Sequence, residues 1–298
     1  WSSDVCSSDL EIDNMNASKV AILVDSGCDI PEEFIEQNDI KVLRLKVMYG
    51  DTVYSDGLEL DPMEVYRRFP NEIPKTSTPN MQEVLDIVDE IKSEGYESII
   101  AVTISSGLSG TYNTVAMTFN NVEGIDTYAF DSRNISIGAG LLAMWAANRA
   151  NEGMSFKDIT EGLERKKYDS KVFFYMDTLD YLRKGGRINP AVAIVGKALN
   201  LKPIISCNEK GVYYTVAKIR GSHKGLSKLT EVATEFANRG KAMIALMNGD
   251  AKDVAAQVKS LITEQVHNSE IVVDKQITAS MAVHTGPGLI GIGVLLED

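Results

Sequence analysis

Ser98-Ile-Ile-Ala-Val-Thr-Ile104 runs directly into Ser105-Ser-Gly-Leu-Ser-Gly-Thr111. The first stretch is almost continuously apolar and β-branched, the pattern of a strand buried on both faces of a parallel sheet. The second is small and polar and leads into a helix. A buried strand followed by such a loop and a helix is the repeating unit of an α/β fold, and the chain repeats it. Lys19-Val-Ala-Ile-Leu-Val-Asp25 is another buried strand, ending in Asp25-Ser-Gly-Cys-Asp29 ahead of a helix start at Pro31-Glu-Glu-Phe. Thr127-Tyr-Ala-Phe-Asp131 is a third, followed by a small-residue-rich helix predicted from about 137 to 151. Between these, Lys41-Val-Leu-Arg-Leu-Lys-Val reads as a further strand and Asp61-Pro-Met-Glu as a helix N-terminus. Lys75-Thr-Ser-Thr-Pro-Asn80 reads as a loop before a helix with Val84, Leu85, Val88 and Ile91 on one face. Sites in such folds lie beyond the C-terminal strand ends, where this chain gathers hydroxyls and aspartates.

After Lys171-Val-Phe-Phe-Tyr-Met176 the pattern changes. Helices are predicted at about 189 to 199, 224 to 238 and 252 to 266. Strands are predicted at 203–207, 212–219, 242–247, 271–277 and 289–296. Asn208-Glu-Lys-Gly211 is a turn signal, so 203–219 reads as a hairpin and the second sheet as mixed. The expected organisation is α/β throughout: a doubly wound, mostly parallel sheet domain over 17–168, then an α/β domain with a mixed sheet over 169–298. Residues 1–16 repeat a Ser-Ser-Asp unit without apolar period and are expected to be a non-native or disordered extension.

The 298 residues are 44% hydrophobic and 24% charged, ordinary values for a soluble protein with a large core. No apolar run is long enough to span a bilayer and no secretory signal opens the chain, so the expected location is the cytoplasm. Cys6, Cys28 and Cys207 lack metal-ligand spacing and suit reduced thiols. No metal site is expected, because histidines are scattered and carboxylates show no ligand spacing. The net charge of −12 disfavours nucleic acid as a partner. The charge is uneven, however: ten Lys or Arg fall between Arg183 and Lys228 against one acid, Glu209.

Three constellations carry chemistry. Ser105 to Thr111 sits where a helix N-terminus offers free N–H groups to an anion, although Ser109 or Thr111 is equally a plain cap. Thr76-Ser-Thr-Pro79 is a hydroxyl cluster stiffened by Pro79. His284-Thr-Gly-Pro-Gly288 places a histidine beside a turn that backbone can bring close to a ligand. Gly286, Gly288, Gly291 and Gly293 spell a dinucleotide fingerprint, but they precede a final strand instead of opening a helix, which rules that reading out. A triad of Ser109, His284 and Asp25 or Asp131 lacks the glycine two residues after the serine that a nucleophile elbow requires. Pro190 to Leu199 is apolar nearly all round, a buried helix whose small side chains could border a tunnel for an apolar ligand.

Val24-Asp-Ser26, Lys75-Thr-Ser-Thr-Pro79, Ser105-Ser-Gly-Leu-Ser-Gly-Thr-Tyr-Asn113, Phe130-Asp-Ser132, Lys184-Gly-Gly-Arg-Ile188 and His284-Thr-Gly-Pro-Gly288 together, in that order, resemble the DegV family of bacterial fatty-acid-binding proteins. The family's hydroxyl loop usually carries Gln where this chain has Thr78, which leaves Thr76 in place. The resemblance implies one bound long-chain fatty acid at the domain seam and no further cofactor. Its carboxylate would be held by Thr76 and Ser109 with His284 nearby. Ser26, Gly110, Thr111 and Gly286, in the same motifs, complete the expected lipid-binding set. It also implies a partner, since some members serve as the binding subunit of a fatty acid kinase whose separate ATP-using subunit makes acyl phosphate for phospholipid synthesis. Arg220, Lys184 and Arg187 are the expected docking residues on the basic strip. No residue is expected to be catalytic. The competing expectation is a stand-alone Ser109 hydrolase or phosphotransferase on a related scaffold.

Overall fold

The computed structural model describes residues 15–188, 201–220 and 222–297. Among them, the first half forms strands β1 (Val20–Asp25), β2 (Lys41–Leu43), β3 (Lys46–Tyr49), β4 (Thr52–Ser55), β5 (Lys75–Ser77), β6 (Ser98–Thr103) and β7 (Asp126–Asp131). Its helices are α1 (Glu32–Gln37), α2 (Pro62–Arg68), α3 (Met81–Ser93), α4 (Thr111–Phe119), α5 (Ile137–Asn151) and α6 (Phe156–Lys166). The second half adds β8 (Ser170–Tyr175), α7 (Asp180–Lys184), β9 (Leu201–Cys207), β10 (Tyr213–Arg220), α8 (Ser222–Ala237), β11 (Ala242–Gly249), α9 (Lys252–Gln265), β12 (Ser269–Gln276), α10 (Ala279–Thr285) and β13 (Leu289–Leu296).

The continuous apolar runs form a parallel sheet in the order β2-β1-β6-β7. Its two faces are buried under different helices, the doubly wound arrangement. Val84, Val88 and Ile91 of α3 and Val115 and Phe119 of α4 cover one face against Leu23, Ile99 and Ala101. Helix α5 covers the other. The second sheet runs β10-β9-β8-β13-β11-β12, antiparallel except for β11 and β12. Helices α8 and α9 close its outer face through Leu229, Ala233, Phe236, Val258 and Ile262. The helix expected at about 189 to 199 and most of the 1–16 extension lie outside the described residues. Met15 and Asn16, counted with that extension, belong to the fold: Met15 packs on the α3–α4 core, and Asn16 Oδ1 accepts the Val20 N–H at 3.1 Å.

The structure corrects the sequence reading at two places. Lys41 to Val47 is not one strand. The chain leaves the parallel sheet after Leu43, where the Leu45 N–H donates to Ser26 Oγ at 3.0 Å, and β3 then joins a separate antiparallel sheet, β4-β3-β5. From Leu43 to Tyr49 buried and part-exposed residues alternate, the signature of a sheet with one solvated face. Lys75 to Ser77, expected as loop, is β5 of that sheet, with Thr76 opposite Val47.

Helix α5 joins the halves. Twelve of its fifteen residues are buried because it lies between the sheets, touching β1 and β6 on one side and β8, β13 and β11 on the other. A single apolar cluster accordingly runs from Val20 to Leu295, so the division near 168 separates sheets and not cores. Among the described residues no helix is long and apolar enough to cross a membrane. Close approach on both sides explains the small side chains: a Cβ at Gly140 would collide with the Cys28 carbonyl oxygen. Gly140→Ala is expected to cost about 1–3 kcal/mol through overpacking, read as a lower denaturant midpoint in urea unfolding at unchanged slope.

Candidate functional site

A cavity of about 270 Å³ lies between the loops at the C-terminal rim of the parallel sheet, strand β5, helix α10 and the mixed sheet. Ile104, Val172, Phe174, Met247, Ile277 and Leu289 form much of its wall, and Thr76, Ser109, Ser136, Arg187, Ser280 and His284 supply its polar groups. Three local structures deliver these groups. Strand β5 turns Thr76 to the inner face of the small sheet. The β6–α4 loop delivers Ser109, and a Cβ on the adjoining Gly110 would lie 3.5 Å from Thr78 Cγ2, so the two hydroxyl loops abut. Helix α10 delivers Ser280 and His284.

Buried carboxylates hold these elements. Asp25 accepts the N–H groups of Gly27 at 2.9 Å and Ile104 at 2.8 Å, fixing the start of the Ser109 loop. Asp56, fully buried, accepts from Ser26 Oγ (2.7 Å), Ser280 N (2.8 Å) and Ser280 Oγ (2.6 Å). Asp29 accepts Thr278 N at 2.9 Å and Ser136 Oγ at 2.5 Å. Two aspartates of the first half thus anchor the first turn of α10 in the second. Ser136 (φ 52°, ψ −141°) and Asp29 (φ 54°, ψ 30°) both hold a positive φ, costly for non-glycine residues, and their mutual bond holds both. The loop before α4 is latched across the seam as well. Ser105 Oγ donates to the Gly211 carbonyl at 2.8 Å, and Arg133 donates to that of Lys210 at 3.2 Å.

Of the expected site residues, Thr76, Ser109 and His284 line one cavity, and Thr76 Oγ1 lies 3.0 Å from His284 Nε2. Ser109 Oγ pairs with Thr111 Oγ1 at 2.9 Å and accepts the Thr111 N–H at 3.3 Å, so it caps α4 while facing the cavity. Ser26, Gly110, Thr111 and Gly286 are not among the lining residues. Ser26 is engaged by Asp56, and Gly286 sits at the C-terminus of α10 with its Cα against Tyr181, where a Cβ would clash. The three docking candidates occupy different settings. Arg220 is exposed at the end of edge strand β10, Lys184 Nζ lies 4.4 Å over the Phe69 ring, and Arg187, expected on the outside, lines the cavity. Sequence reasoning missed Asp56 and Ser280 altogether, since each has its role only through a contact 224 residues away in the chain. No Ser–His–Asp relay is formed by these side chains: His284 pairs with Thr76, Asp25 with backbone N–H groups, and Asp131 with Ser106 and Arg133. Among the described residues no group of three or more His, Cys, Asp or Glu could hold a metal ion.

His284 is neutral in this setting. Burial, assisted by the Arg187 cation, pushes its imidazole from 6.5 down to about 3. The unfolded chain therefore takes up a proton that the native site refuses, and stability is lost as pH falls from 6.5 toward about 3. Burial acts oppositely on Asp25 and Asp29, raising them from 3.8 to about 7 and about 6, so their contribution is present at low pH and lost as pH rises through those values. The difference between wild type and His284→Gln isolates the histidine. Urea unfolding from pH 6.5 downward should show a shallower acid loss in the variant.

The sequence comparisons agree with this architecture. The family model described as an uncharacterised protein of the DegV family matches residues 19–297. A DegV domain-containing protein of Clostridium acetobutylicum is 36% identical over 280 residues, covering 94% of this chain and 99% of that one. The crystal structure of DegV from Bacillus subtilis, described as a fatty acid binding protein, superposes with a TM-score of 0.85 at 30% identity, covering 95% of this chain and 100% of that one. A stearic acid-binding protein from Eubacterium ventriosum matches with a TM-score of 0.82 at 26% identity, covering 93% of this chain and 98% of that one. With a family match across the whole described fold and a relative aligned over nearly its full length, the chain belongs to the DegV family.

Proposed function

We propose that this protein binds one long-chain fatty acid, with the carboxylate at Thr76 and Ser109 and the acyl chain in the apolar cavity, and presents it to the ATP-using subunit of a fatty acid kinase. The observation that carries the reading is the Thr76–His284 pair, with Ser109 and Arg187 beside it, in the wall of a cavity whose other side is apolar. The fatty-acid ligands named for the Bacillus subtilis and Eubacterium ventriosum proteins support it. Each buried methylene contributes roughly 0.8 kcal/mol, so the acyl chain supplies most of the affinity and the polar groups set orientation.

The neutral histidine has a specific part. Its Nδ1 is buried without a partner, against Gly185, so the proton is best placed on Nε2, donated to Thr76 Oγ1. The Thr76 O–H is then free to donate to a carboxylate. Ser109 adds a second hydroxyl, and Arg187 supplies positive charge at the cavity without a covalent commitment. Such donors hold the carboxylate while leaving it available for phosphorylation.

Mass spectrometry of the denatured protein should release a free fatty acid and show no adduct on Ser109; protein that carries no lipid and takes up none from added stearate would defeat the reading. Thr76→Val and Ser109→Ala should each weaken fatty acid binding about tenfold, the worth of a hydrogen bond to a charged group, in a fluorescent fatty acid displacement assay. For the partner, Arg220→Glu should slow acyl phosphate formation by a supplied kinase subunit while lipid binding stays intact. Unchanged turnover at subsaturating protein would count against Arg220.

A further inference from the structure

Gly291 lies at the centre of the six-stranded sheet, on β13, with Phe174 of β8 opposite it on one side and Met247 of β11 on the other. All three line the cavity. Glycine in a central strand weakens it, through backbone entropy and the lost side chain, and marks places where another group approaches the backbone closely. Gly293 projects from the same face of the same strand, and there the approaching group is protein. A Cβ on Gly293 would lie 2.7 Å from Ile137 Cγ2 and 3.3 Å from Leu141 Cδ1, both on α5. Among the described residues no such group lies over Gly291. The nearest atoms to a Cβ there belong to the flanking strands, Met247 Cβ at 3.5 Å and Phe174 Cβ at 3.9 Å, ordinary contacts within a sheet. One glycine is covered by α5, and the other opens onto the cavity.

We infer that Gly291 is a specificity-determining position: the apolar chain of the ligand lies directly over it, between Phe174 and Met247, and its missing side chain sets the cross-section that admits a long acyl chain. This rests on the fatty-acid reading above. A methyl group at 291 fits the sheet without displacing a neighbour and enters the space the ligand needs. Shorter chains that end before the Phe174–Met247 gap are unaffected by it, and longer ones are excluded.

The test uses the full chain, stripped of lipid and titrated with lauric and stearic acids, with urea unfolding measured alongside. Gly291→Ala should unfold at or above the wild-type urea midpoint, lose about tenfold in stearate affinity and bind laurate as wild type does. Gly291→Val should lose more stearate affinity, and Met247→Ala in the Gly291→Ala background should recover it by reopening the gap. Equal losses for both acids, no loss for either, or a large loss of stability in Gly291→Ala would each overturn the inference. Wild-type protein that binds neither acid would instead overturn the fatty-acid reading, and this inference with it.

Discussion

A helix enclosed on opposite sides by two sheets has little solvated surface, so its enclosed positions must be apolar or small, and each sheet must meet it at close range. Helix α5 is under that constraint. Gly140 brings its backbone against the Cys28 carbonyl, and on the opposite side Gly293 of β13 accepts Ile137 and Leu141. Because α5 begins at Ile137, separated by five residues from the C-terminal end of β7, it leads from the rim of the parallel sheet onto the inner face of the mixed one. The cavity lies beside the N-terminus of this helix, where Ile135 and Ser136 join its wall. The position of the site is thus a consequence of how the two sheets share one helix.

That shared core is reinforced by buried carboxylates, unusual groups to find without a countercharge at hydrogen-bond distance. Asp25 and Asp56 are surrounded by N–H and hydroxyl donors, and Asp29 adds the field of Lys275 to the same kind of donors. Each bridges segments far apart in sequence. Asp56 and Asp29 are the more consequential pair, because the turn they hold begins the helix that carries His284. The imidazole and Thr76 can pair only if both are held within hydrogen-bond distance, and the chain achieves this by fixing α10 at its start and Thr76 through strand pairing with Val47.

Binding chemistry and packing are divided between the cavity's two kinds of wall. The polar groups come from a short strand, helix α10 and the segments that carry Ser109, Ser136 and Arg187, and long-range hydrogen bonds position several of them. The apolar wall draws on the central strands β8, β11 and β13, each paired on both sides, together with Leu45, Ile104, Leu108 and Ile277. Strands paired on both sides suit discrimination by shape, since a methyl group added there is not accommodated by moving the backbone. The basic strip noted in the sequence resolves into separate parts: Arg187 inside the cavity, Lys184 over an aromatic ring, and Lys218, Lys224 and Lys228 along a groove between β10 and α8.

The sequence by itself determined the α/β class, the parallel strands and the mixed second sheet, because continuous and alternating apolar runs report burial residue by residue through local periodicity. It also singled out Thr76, Ser109 and His284, each beside a turn or helix start and inside a motif. Only the tertiary structure decided that Lys41 to Val47 is divided between two sheets, since the break depends on a bond from Leu45 to Ser26, which no local pattern records. The same holds for Asp56, for Arg187 turning inward, and for the difference between Gly291 and Gly293. Two glycines two residues apart on one strand are identical in sequence terms, and what distinguishes them is whether α5 lies above them.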